Sequence, residues 1–128
     1  LEPEDAVKAL DVGADAIIVS NHGGRQLDQT SSTISMLPKI VKAVKGKSSI
    51  WLDGGIRSGQ DILKAVALGA DNTLIGRAMS YGLAANGISG CEKTLNILHT
   101  ELDMTMALCG HKNLKEVDDS ILKIESDF

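Results

Sequence analysis

Aromatic residues are nearly missing from this chain: Trp51, Tyr81 and Phe128 are its only three, 2% of 128 residues. A core must therefore be assembled from Leu, Ile, Val, Ala and Met, which suits α/β packing. Cysteine is equally scarce. Cys91 and Cys109 have no C-x-x-C spacing and cannot build a disulfide framework, so buried thiols in a reducing compartment are expected. Long apolar runs are absent, none approaching the ~20 residues that cross a bilayer. Glu2, Glu4 and Asp5 are unlike the basic opening of a signal peptide, so a cytoplasmic location, at most peripheral to a membrane, is the expectation. A surplus of positive charge is lacking too: the net charge of −4 argues against a nucleic-acid or anionic-lipid surface. What remains is 43% hydrophobic and 23% charged, the composition of a soluble globular chain, and no linker or low-complexity segment divides it.

Helix and strand signals alternate. Residues 3 to 10 read as a helix with Pro3 in its first turn, acidic residues early, and Ala6, Val7, Ala9 and Leu10 on one face. Ala16-Ile17-Ile18-Val19-Ser20 reads as a buried parallel strand. A helix from Ser32 to Lys45 follows, with Ile34, Leu37, Val41 and Val44 at helical spacing and Pro38 as a kink or a second start. A second strand, Ile50-Trp51-Leu52, leads to a helix that opens on a capping-box pattern, Ser58 to Asp61, and closes at Gly69. The third strand, Thr73-Leu74-Ile75, leads to a helix that breaks at Asn86-Gly87 and resumes from Ser89 to Cys109. Leu95, Leu98, Leu102, Thr105 and Met106 are expected to face inward there, with Met104 also as core filler and Gly110 as the stop. Residues 111 to 128 read as a short helix and a frayed polar tail.

An internal echo supports this parsing: Val12-Gly-Ala-Asp15 precedes the first strand and Leu68-Gly-Ala-Asp71 the third. Three strand–helix alternations call for parallel strands joined by right-handed crossovers. A complete (β/α)₈ barrel takes about 250 residues, so the chain reads as a piece of a larger barrel or as a half-barrel that pairs.

Chemistry concentrates where these strands end. His22 and Arg25 follow the first strand, at the end where ligands bind in α/β proteins. Flanking Asn21, Gly23 and Gly24 keep the approach open. An imidazole can serve as a base near neutral pH, and a rigid guanidinium fork suits a substrate carboxylate. Asp28 is read as orienting Arg25 or His22, or as capping its own loop, and Ser20 as a strand-end hydroxyl aimed at the same mouth. Asp53-Gly54-Gly55-Ile56-Arg57 and Gly76-Arg77 suggest a phosphate cradle: glycines admit backbone N–H groups to an anion, the helix near Ser58 adds a positive dipole end, and two arginines add charge. His99 and His111 have no partner at ligand spacing and read as surface residues, not as part of a metal site.

Taken in order, Ser20-Asn-His-Gly-Gly-Arg-Gln-Leu-Asp28, Asp53-Gly-Gly-Ile-Arg57-Ser-Gly and Ile75-Gly-Arg77 strongly resemble the FMN-dependent α-hydroxy-acid oxidases and dehydrogenases. Glycolate oxidase, lactate oxidase, flavocytochrome b2 and mandelate dehydrogenase belong to that family. The similarity extends through Leu102 to Leu108 and the Asn113 to Glu116 segment. The resemblance implies the C-terminal part of an FMN-binding (β/α)₈ barrel, about three βα units with terminal helices, over residues 1 to 128. By motif position it implies His22 as the base, Arg25 as the ligand of the substrate carboxylate, and Ser20 as a flavin contact. Asp53, Gly54, Gly55, Ile56, Arg57, Gly76 and Arg77 would line the ribityl phosphate site. It further implies oxidation of a small L-2-hydroxy acid such as lactate or glycolate to the 2-oxo acid. Electrons would pass to O₂, a quinone or a cytochrome, and the full-length protein would be a homotetramer. In the family a lysine near the flavin N1 ends the fifth strand, upstream of the segment seen here, so this chain is expected to be the C-terminal portion of a longer gene product, inactive by itself.

Two other readings share part of this pattern. Another phosphate-binding barrel, such as one resembling inosine-monophosphate dehydrogenase or type 2 isopentenyl-diphosphate isomerase, would keep the glycine loops but has no need of His22 with Arg25 three residues later. A non-catalytic half-barrel would bind a phosphate, or a second chain, without flavin.

Overall fold

The computed structural model describes residues 1–44 and 46–123. Among these residues the chain runs α1 (Pro3–Asp11), β1 (Ala16–Val19), α2 (Thr33–Val44), β2 (Ser49–Asp53), α3 (Gly59–Ala67), β3 (Asn72–Leu74) and α4 (Arg77–Leu108). The strands form a parallel sheet in the order β1-β2-β3. Ile18 pairs with Trp51, Val19 with Leu52, and Asp53 with Leu74, so the carboxyl ends of all three strands lie at one rim.

Side-chain alternation divides the sheet into two faces. Val19, Ile50 and Leu52 are buried against Leu37, Ile40 and Val44 of α2, with Ala65 and Ala70 in the same cluster. The other face carries Ile18, which is 52% exposed, next to half-buried Trp51. A parallel sheet is stable when both faces are covered, so helices on one face and open apolar groups on the other describe a wall of a larger closed structure.

The repeated Gly-Ala-Asp turn is one device used twice. Ala14 N–H bonds the Ala9 carbonyl and Gly13 N–H that of Leu10; Ala70 N–H bonds the Ala65 carbonyl and Gly69 N–H that of Val66. Both glycines sit at φ 99°, the left-handed position that closes a helix by the paired bonds of a Schellman cap. Gly110, at φ 77°, ends α4 with the same bond pattern. In the second copy Asp71 adds a further link, its carboxylate accepting the Ile50 N–H at 2.7 Å.

The two halves of α4 meet at the Asn86-Gly87 kink, where φ/ψ leaves the helical region. Gly82 and Gly90 then face one another too closely for a side chain on either. Farther along, α4 lies against the start of α3, where a β-carbon on Gly59 would run into the backbone of Leu98, Glu101 and Leu102. These two contacts explain which apolar residues are covered. Leu98, Leu102, Thr105 and Met106 are buried or half-buried, but Leu95 falls between the contacts and is 51% exposed, contrary to the inward face expected from periodicity. Met104 is likewise exposed on the outer face. Ile34 does not join the buried stripe of α2, which runs through Met36, Leu37, Ile40 and Val44 past an uninterrupting Pro38. Cys109 is exposed and Cys91 half-buried, so the expectation of two buried thiols fails, although both are free.

After α4 the chain makes short 3₁₀ turns at Leu114–Glu116 and Asp119–Ile121 in place of the expected helix. Ser120 donates its hydroxyl and its N–H to Asp118, holding that carboxyl below its ordinary pKa. Lys45 and the expected polar tail at residues 124 to 128 lie outside the described residues. No helix among the described residues is long and apolar enough to cross a membrane.

Because the Gly59 contact is backbone against backbone, neither helix yields by a rotamer change. Gly59→Ala is expected to lower stability by about 1–3 kcal/mol, seen as a reduced urea midpoint at unchanged slope.

Candidate active site

The loop after β1 is held by its own polar side chains. Ser20 Oγ donates to Asp53 Oδ2 at 2.6 Å and accepts the His22 N–H at 3.1 Å, so one hydroxyl joins the ends of the first two strands. Asn21 accepts the Gly24 N–H through Oδ1 at 3.2 Å and donates from Nδ2 to the Ser31 carbonyl at 3.3 Å, drawing the two ends of the loop together. Within that frame His22, Gly23 and Gly24 take φ of 56°, 66° and 71° in succession. Left-handed backbone is ordinary for the glycines and costs a histidine energy, and such strain is typical of positions that a site fixes for use. The His22 and Arg25 side chains are both exposed. Asp28 accepts the N–H of Gln29, so of its two expected roles it fills loop capping.

The second loop leaves β2 at Asp53. Gly54 and Gly55, at φ 102° and 81°, turn the backbone outward. The Thr33 hydroxyl donates to the Gly54 carbonyl at 3.5 Å, and Thr33 is itself buried. Ile56 is 6% exposed and belongs to the hydrophobic core, so its contribution to any ligand is its backbone and not its side chain. Arg57 is exposed beside it.

The helix that follows does not present the open positive end expected of it. Ser58 and Asp61 form a complete capping box, and Glu101 from α4 accepts the Gly59 N–H at 2.8 Å. Two carboxylates thus occupy the start of α3 and offset its dipole. The third loop supplies the open end instead. α4 begins at Arg77 after Gly76, with no side-chain cap and no acidic residue in its first turn. Arg77 also reaches toward the first loop, its Nη2 lying 3.9 Å from where a β-carbon on Gly23 would be.

These three loops line one cavity of about 800 Å³, within the size range of small-molecule and cofactor sites. His22, Arg25, Asp53, Gly54, Gly55, Ile56, Arg57, Gly76 and Arg77 all border it. Ser20 does not: it lines an adjoining space of about 520 Å³, which shares Asn21 and His22 with the first. Among the described residues the larger cavity is bordered by three arginines against one carboxylate, that of Asp53, so an acidic chain carries a locally basic mouth. Thr33 and Tyr81 border it as well and were not singled out by their sequence context; Thr33 opens α2 and Tyr81 lies in the first turns of α4. Position just after a strand's loop was the signal that marks both. His99 is exposed and His111 half-buried, neither in the cavity, and no metal-binding cluster of His, Cys, Asp and Glu occurs among the described residues.

Residues 1–124 match the family model described as FMN-dependent dehydrogenase. Among curated proteins, a 2-hydroxyacid oxidase of Dictyostelium discoideum is 52% identical over 120 residues, 94% of this chain and 31% of that protein. An L-lactate oxidase of a Nostoc species is 48% identical over 124 residues, 97% of this chain and 34% of that protein. A solved structure of mandelate oxidase with benzoyl-formic acid superposes with a TM-score of 0.87 at 49% identity, covering 90% of this chain and 34% of the other. A mandelate oxidase mutant with a monooxide FMN adduct matches equally, at a TM-score of 0.87. The chain spans about a third of the length of the curated relatives it matches.

Relief of the left-handed strain at position 22 is separable from loss of the imidazole. His22→Gly is expected to raise folding stability by up to about 1 kcal/mol, measured by urea titration of the whole protein, because the exposed ring contributes little packing.

Proposed function

The chain belongs to the FMN-dependent dehydrogenase family, and from that premise we propose that the protein containing it oxidises a small L-2-hydroxy acid, of the lactate or glycolate kind, to the 2-oxo acid with FMN as cofactor. The observation that carries this reading is the single cavity in which a histidine and an arginine from one loop meet two glycine–arginine loops. A base beside a carboxylate-binding fork addresses the substrate; paired arginines beside exposed backbone N–H groups address a phosphate.

The residues present suit the cofactor. Space is open around the Gly55 α-carbon and around that of Gly76, so backbone N–H groups can approach an anion on both loops. Arg57 and Arg77 are exposed at the same mouth, and the uncapped start of α4 adds its dipole. In this reading Arg57, Arg77, Gly54, Gly55, Gly76 and the Ile56 backbone hold the phosphate. Asp53, kept in place by its bond from Ser20, would line the same ribityl phosphate site, and Ser20 would contact the flavin from the adjoining space. Bound FMN supplies the two-electron redox chemistry.

Arg25 binds the substrate carboxylate through two parallel N–H···O bonds and fixes the orientation of C2. His22 takes a proton from the hydroxy acid as it is oxidised. The link from Ser20 to the His22 N–H sets the height of the imidazole relative to the phosphate loops. A cytoplasmic setting, whose reducing conditions suit the free Cys91 and Cys109, belongs to the same proposal. So does a longer polypeptide, whose remaining strands would close the barrel around the open sheet face.

The full-length protein is expected to bind FMN with a shift of the flavin absorbance bands; an unshifted spectrum on titration would overturn the cofactor assignment. His22→Ala should retain flavin and lose about 10²- to 10⁴-fold in kcat, measured by steady-state turnover of lactate and glycolate. Arg57→Ala should raise the Kd for FMN more than the KM for substrate, and the opposite ordering would remove Arg57 from the phosphate site.

A further inference from the structure

We propose that Asp61, which does not border the cavity, is a positioning residue that sets the phosphate-binding loop at Gly54 to Arg57; this rests on the FMN reading above. Its Oδ2 accepts three bonds, from the Arg57 N–H at 3.0 Å, the Ser58 N–H at 2.9 Å and the Ser58 hydroxyl at 2.9 Å. A capping box requires only the bond to the N-cap N–H, here that of Ser58. The additional bond to Arg57 falls one residue upstream, inside the loop that borders the cavity.

The loop is therefore anchored at both ends. Thr33 holds the Gly54 carbonyl from below, and Asp61 holds the Arg57 amide from the side of α3. Between them lie Gly55, with left-handed backbone, and Ile56, so one glycine supplies the freedom of this short span. Fixing the amide of Arg57 fixes where its guanidinium is launched. It also turns that N–H away from the cavity, which leaves the amides of residues 54 to 56 and the start of α4 to meet an anion.

Two effects of opposite sign follow from removing Asp61. Its negative charge at the α3 N-terminus opposes a nearby phosphate, so electrostatics alone predicts tighter FMN binding without it. Its bonds preorganise the loop, so loss of anchoring predicts weaker binding. Preorganisation dominates in this proposal, because the carboxylate is already offset by three donors, while the restraints at Gly54 and at the buried Ile56 side chain leave the Arg57 amide to be fixed by Asp61.

Comparison of FMN with riboflavin, which lacks the phosphate, isolates the effect. In the full-length protein, Asp61→Ala should weaken FMN about ten- to a hundredfold by fluorescence quenching while riboflavin changes less than about twofold. Asp61→Asn keeps one oxygen at the point where the bonds converge and should recover part of the loss. Equal weakening of both flavins would reduce Asp61 to a stabilising cap and overturn the inference while leaving the cofactor assignment intact; unchanged or tighter FMN binding would overturn it also. If Asp61→Ala does not fold, the same FMN-to-riboflavin ratio in Asp61→Asn decides. Failure of the unsubstituted protein to bind either flavin would remove the FMN reading, and this inference with it.

Discussion

Parallel pairing in a shared register is the constraint from which the site follows. With Val19 beside Leu52 and Asp53 beside Leu74, three strands finish at one level, and each hands its loop to the same rim. No single loop makes the cavity here: one contributes a histidine and an arginine, the others contribute glycines and arginines. The Ser20 to Asp53 bond converts adjacency into a fixed distance, because one hydroxyl proton is shared between the end of β1 and the end of β2. The fold in turn is three consecutive βα units of a (β/α)₈ barrel, whose helices cover the outer face of the sheet and whose other wall faces the barrel axis.

Local electrostatics departs from the global balance and does so by placement. The chain is acidic overall, yet its carboxylates are directed elsewhere: Asp61 and Glu101 to the start of α3, Asp71 to a strand amide, Asp28 to its own loop. What remains at the mouth is dominated by arginine. Of the helix starts that follow the second and third strands, that of α3 is offset by Asp61 and by Glu101 of α4, and that of α4 carries neither a side-chain cap nor an acidic residue in its first turn.

Much of this was legible from residue order. The Gly-Ala-Asp echo identifies two identical caps because glycine at C′ has a unique backbone role, and the capping box at Ser58 forms as its spacing indicates. The motif residues from His22 to Arg77 that were expected at the site, though not Ser20, reach one cavity because strand-end position is a local property once strands are parallel. What failed was long-range. The inward stripe on α4 omits Leu95 because coverage depends on where α3 and the α4 kink make contact, not on period. The dipole of α3 is cancelled partly by Glu101, which lies 42 residues from Gly59 and carries no local sign of that partnership. Thr33 and Tyr81 carried only the weak signal of standing at a helix start after a strand's loop, which their ordinary residue types did not reinforce.

The two outer strands of the sheet have a consequence for how such a protein is made. On their free sides β1 and β3 present amide and carbonyl groups already spaced for another strand, and Ile18 offers an oily surface beside the first. A ribosome delivers these units one after another, so the interval before closure is one in which the correct neighbour competes with any passing β-segment. The sheet that gathers three loops at one rim is, during synthesis, also an adhesive edge.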